Sequence, residues 1–80
     1  MNKEKVLEAV TEILADILDD ESIVVTYSTI ASDVENWDSL AHLQIITTIE
    51  SKFNIRFSLG EINNFADVGE LCDSIVKHLG

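Results

Sequence analysis

Apolar residues recur along this chain in short groups at helical spacing. Val6, Val10, Ile13 and Ile17, flanked by Leu7, Leu14 and Leu18, fit one face of an amphipathic helix over about residues 3–18. Glu4, Glu8 and Glu12 share its wet side. The periodicity lapses from Asp19 to Asn36, where Asp, Ser, Thr and Asn are frequent, and this marks a long loop. Within it, Ile23, Val24, Val25, Thr26 and Tyr27 have the composition of a strand. A lone strand has nothing to pair with, so this stretch is expected to be an ordered loop packed down on the helices.

A second helix is predicted to begin with Asp38 as N-cap and to run to about Phe53, with Asn54 as its stop. Leu59, Ile62 and Phe65 predict a short third helix over about residues 59–65. Asp67 and Glu70, three residues apart, resemble a capping box that opens a fourth helix, whose buried stripe is Val68, Leu71, Ile75 and Leu79. The fold class that follows is all-α: a four-helix bundle with a long loop between helices 1 and 2 and a short third helix.

Length and composition narrow the picture. Eighty residues without proline, repeats or a low-complexity linker predict a single domain over residues 1–80, too small for much of a buried active site. Hydrophobic residues make up 46% of the chain but form no run that could span a membrane, and the acidic N-terminal stretch does not read as a secretory signal. A cytoplasmic monomer is expected. The single cysteine, Cys72, excludes an intramolecular disulfide and a thiolate zinc site, and its place beside Leu71 and Ile75 suits a core residue.

Fifteen acidic residues against five basic ones give a net charge of −10. Nucleic acid and anionic lipid are repelled by such a surface, and partners with basic docking surfaces are attracted at rates that fall with salt. The same charge also serves solubility alone. Asp16, Asp19, Asp20 and Glu21 cluster, but the stretch lacks the central glycine of a calcium loop, and no metal site is expected.

On the wheel of the second helix, Ile46, Ile49 and Phe53 face the core with Leu43 and Ile45 at the margins. Leu40 lies on the opposite arc with Gln44, Thr47, Thr48 and Ser51, next to Ser39. Ser39 stands where the first N–H groups of a helix lack intrahelical partners, a favourable place for a phosphodiester, although Asp38-Ser39 also suits a plain helix start. His42, three residues on, falls on the core-facing side as a packed histidine. A catalytic pair of Ser39 and His42 lacks an orienting group, an oxyanion site and a cleft, so no enzyme is expected.

Read as a whole, Asn36-Trp37-Asp38-Ser39-Leu40-Ala41-His42-Leu43, followed by Ile49-Glu50-Ser51-Lys52-Phe53-Asn54-Ile55, resembles the core of the acyl carrier protein family. The likeness extends along essentially the whole chain and takes in Asp67-Val68-Gly69-Glu70-Leu71 at the last helix. It implies that Ser39 carries a covalent 4′-phosphopantetheine arm, taken from coenzyme A by a phosphopantetheinyl transferase. The arm's thiol then holds acyl or aminoacyl groups as thioesters for the enzymes that load and transfer them. Partner docking is implied for Asp38, Leu40, Gln44, Thr47 and Glu50. The pathway implied is fatty-acid, polyketide or another specialised biosynthesis; the alternatives are an aminoacyl, peptidyl or D-alanyl carrier, or an unmodified helical interaction module. One departure stands out. The exposed face of the second helix, which is rich in acids in carriers of fatty-acid synthesis, presents Ala41, Gln44, Thr47, Thr48 and Ser51 here, with Glu50 the main acid left. Trp37 before Asp38 looks like stand-alone carriers of specialised pathways.

Overall fold

The computed structural model describes residues 2–80. Its helices are α1 (Lys3–Ile17), α2 (Ser39–Phe53), α3 (Leu59–Ile62) and α4 (Val68–Leu79), and the long loop after α1 contains a 3₁₀ turn at Ala31–Asp33. There is no strand among the described residues, and no helix is long and apolar enough to cross a membrane.

Each helix starts where a side chain can take up a free backbone donor. Asn2 accepts the Lys5 N–H at 2.8 Å, Asp38 accepts the Ala41 N–H at 2.8 Å and Asp67 accepts the Glu70 N–H at 2.8 Å. At α3 the arrangement is reciprocal: Ser58 Oγ accepts the Glu61 N–H at 3.2 Å while Glu61 Oε1 accepts the Ser58 N–H at 2.9 Å. The capping box expected at Asp67 and Glu70 is realised only in its first half, and the reciprocal box belongs to α3. Asn54 ends α2 in the left-handed conformation, as its position suggests, at φ 56°.

α1 packs against α2 and α4. Val6, Val10 and Leu14 from α1 meet Ile45 and Ile49 from α2 and Leu71, Cys72 and Ile75 from α4 in one buried cluster. Burial pushes the Cys72 thiol up to about 11, so it stays protonated and behaves as a core residue. The long loop closes this core from one end. Val25 is buried, and the carbonyls of Tyr27 and Thr29 accept the N–H groups of Gly69 and Val68 at 2.7 and 2.8 Å. That approach requires glycine, because a Cβ on Gly69 would come within 2.7 Å of the Tyr27 carbonyl oxygen.

Several expectations are corrected. α3 stops at Ile62 rather than Phe65: the Asn64 N–H folds back to the Glu61 carbonyl in a tight turn, and the Asn64 carboxamide reaches the Gly60 carbonyl at 2.6 Å. Leu79, expected in the buried stripe, is exposed in the last turn of α4. The loop residues 23–27 pack only in part, with Val25 buried but Val24 fully at the surface.

Candidate functional site

Ser39 is the first residue of α2, and its side chain is exposed. Asn36 turns the chain into the helix through a left-handed conformation, and Asp38 then does the capping. The serine hydroxyl is therefore not needed to start the helix, and it makes no hydrogen bond among the described residues. The first intrahelical bond runs from the His42 N–H to the Asp38 carbonyl at 2.8 Å, which leaves the N–H groups of Ser39 and Leu40 without an acceptor among the described residues. A free hydroxyl beside two free N–H donors at the positive end of a helix suits a phosphodiester carried on Ser39 Oγ.

A groove of about 360 Å³ opens beside it, with Trp37, His42, Leu43 and Asn63 among its walls. His42 is half-buried there and uses both ring nitrogens. Trp37 Nε1–H donates to His42 Nδ1 at 3.2 Å, and His42 Nε2 meets the Ile62 carbonyl oxygen at 2.9 Å. Because the indole can only donate, Nδ1 accepts and the ring proton sits on Nε2. The two rings lie within 23° of parallel and meet edge to edge through this bond, with centroids 6.1 Å apart. This imidazole is committed to neighbours other than Ser39.

The helix wheel placed most of the remaining residues correctly and two wrongly. Leu40 stands out at 68% exposure, and Gln44, Thr47, Thr48 and Ser51 are exposed around it. Ala41, expected on the outer face, is buried, whereas Leu43, expected at the core margin, is 54% exposed. Ala41 joins Ile45 in the core cluster, and α3, which ends at Ile62, leaves Leu43 uncovered. Glu50 is half-buried. Its carboxylate accepts the Phe57 N–H at 2.8 Å and so holds the turn between α2 and α3 instead of facing outward freely. Thr47 Oγ1 donates to the Leu43 carbonyl at 2.9 Å and Thr48 Oγ1 to that of Gln44 at 2.8 Å, so both hydroxyls are folded back on the helix.

Two participants escaped the sequence reading. Ile62 contributes through its carbonyl, which no side-chain pattern reveals. Asn63 reaches the groove because α3 ends early, and only the paired Asn63-Asn64 after Ile62 hinted at a helix stop.

Comparison with known proteins bears on this site. A family model described as phosphopantetheine attachment site matches residues 8–75. No curated protein matches the chain. Among solved structures, the chain is similar to a holo acyl carrier protein from Geobacter metallireducens determined in solution by NMR, with 42% sequence identity and a TM-score of 0.86. The match covers 92% of this chain and 85% of that one.

Proposed function

The chain belongs to the acyl carrier protein family, a carrier with phosphopantetheine as its covalent group, and from that premise we propose that Ser39 is the attachment point. One observation carries the proposal: Ser39 Oγ is exposed and unbonded at the first position of α2 because Asp38 has taken over the cap. The attached arm supplies a thiol on which acyl or aminoacyl groups travel as thioesters. Ser39 contributes the oxygen, the Ser39 and Leu40 N–H groups face the phosphodiester charge, and Leu40 offers an apolar contact to whatever protein approaches the serine. The chain acts as a carrier and leaves bond-making to its partners. In support, His42 is engaged with Trp37 and Ile62 and is not placed to deprotonate Ser39.

The partners we propose are a phosphopantetheinyl transferase and the enzymes that load and unload the arm, in a specialised biosynthetic pathway. Supporting this, no Asp, Glu, Lys or Arg occurs from Ser39 to Ile49, so docking on α2 rests on Leu40, Gln44 and Thr47 and not on a row of acids. Asp38 is occupied as the cap and Glu50 at the Phe57 N–H, which makes both supports of the docking face.

The test is modification. Purified protein incubated with coenzyme A, magnesium and a broad-specificity transferase is expected to gain one phosphopantetheine on the peptide containing Ser39, read by intact and peptide mass. Ser39→Ala is expected to gain none while melting at the wild-type temperature. A folded wild type that stays unmodified, also with a transferase from its own source, would overturn the assignment.

A further inference from the structure

No residue of α3 is fully buried, although Ile62 packs half-buried against the core, and Asn63, the residue that caps its end, lines the groove at Ser39. Beside the partial apolar contact of Ile62, a directional tie fixes the end of α3 relative to α2. On that side the tie is polar: Trp37 Nε1–H to His42 Nδ1 at 3.2 Å, then His42 Nε2–H to the Ile62 carbonyl at 2.9 Å. The relay starts two residues before Ser39, passes through a residue one helical turn after it and ends at the last residue of α3. Each ring nitrogen has one role and one partner, so the imidazole cannot rotate or flip without losing a bond. The indole, nearly parallel to the imidazole, adds an apolar wall to the same groove.

We propose that Trp37 and His42 are positioning residues for the arm: their relay to the Ile62 carbonyl holds α3 beside the first turn of α2, so that the first segment of the arm lies between the Trp37 indole and Asn63. The inference rests on Ser39 as the attachment point. It assigns to the Trp37 Nε1–H and to the His42 imidazole a function that neither capping nor core packing requires, although the indole also packs against the core. It also gives the half-buried histidine a purpose other than catalysis.

The experiment uses holo-protein, with loading on Ser39 first verified by mass. In the wild type, nuclear Overhauser contacts are expected from the arm's methyl groups to both the Trp37 indole and Asn63. Trp37→Phe keeps an aromatic wall but removes the donor, and His42→Leu removes the whole relay. Both variants are expected to lose the Asn63 contacts. Amide exchange at Ile62 and Asn64 should accelerate by about 2- to 10-fold, the equilibrium worth of one ordinary hydrogen bond. A purely structural role would speed exchange and leave the arm's contacts in place, and that result overturns the proposal. So does a wild-type arm that touches neither Trp37 nor Asn63, a measurement independent of how the variants fold. Failure to load Ser39 at all shows instead in the mass measurement; it removes the attachment reading and this proposal with it, whereas loaded variants with unchanged arm contacts remove the proposal alone.

Discussion

α4 and α3 are neighbours in the chain but are held in opposite ways. α4 places Val68, Leu71, Cys72 and Ile75 in the core against α1, each at most 1% exposed. α3 has no fully buried residue: Ile62 packs half-buried against the core, and polar ties hold the rest. On one side its Ile62 carbonyl meets His42, and on the other Glu61 accepts from Ser58 N–H, from Ser74 Oγ at 2.8 Å and from His78 Nε2 at 2.9 Å. Apolar burial is non-directional and resists small displacements through many contacts, while a few hydrogen bonds fix position and can be exchanged singly. The molecule thus combines a stiff three-helix platform with a small element that can be adjusted beside Ser39.

The platform side of this comparison is tested hardest by Leu14→Ala. Leu14 is fully buried between α1 and its partners, and its truncation is expected to cost about 2–5 kcal/mol through lost transfer energy and the residual cavity. A chemical-denaturation midpoint measures it. A loss near zero would mean that the platform is no stiffer than α3.

Gly69→Ala is the next largest. The new Cβ would press on the Tyr27 carbonyl oxygen, a backbone atom that cannot swing aside as a side-chain end does, and the bond from the Gly69 N–H to that carbonyl would lengthen. A cost of about 1–3 kcal/mol is expected, the usual range for overpacking, and it should appear in the melting temperature and as faster amide exchange at Val68 and Gly69. If the variant melts like the wild type, the long loop is not fixed to α4 in the way the distances imply.

How far the sequence foretold this division depends on what kind of contact held each part. The apolar spacing of Val6, Val10 and Leu14, or of Val68, Leu71 and Ile75, is a periodic signal, and it placed the platform helices within a residue or so. Asp38 and Asn54 marked the ends of α2 because caps depend on local side-chain chemistry. Leu59, Ile62 and Phe65 misled: their spacing is helical, but Phe65 instead packs edge-on against Phe57 with ring centroids 5.5 Å apart, outside any helix. Leu43 and Ala41 exchanged places because a wheel gives angles around an axis and not which neighbour covers them. At the candidate site, the place of Ser39 at the start of α2 and the exposure of Leu40 were legible from the helix start and the wheel. The Trp37–His42–Ile62 relay was not, since one of its ends is a main-chain oxygen twenty residues from the ring it meets.

The smallest expected effect probes the polar side. Glu61 is held well below its usual range, from 4.5 to about 2, first by the Ser58 N–H, then by the Ser74 hydroxyl and then by His78. A carboxylate with a depressed folded value binds its proton more readily in the unfolded chain. Its contribution is therefore complete above pH 4.5 and is lost as pH falls from there towards about 2. Glu61 is a surface group, so solvent screening keeps the effect modest. Glu61→Gln keeps the shape and an acceptor but removes the charge. Melting curves of the two proteins are expected to differ by a small amount above pH 4.5 and to converge between pH 4.5 and about 2. A gap that persists undiminished at low pH would show that the side chain stabilises α3 by shape or neutral hydrogen bonding and not as a carboxylate. The contrast with α4 would then lie in the number of contacts rather than in their charge.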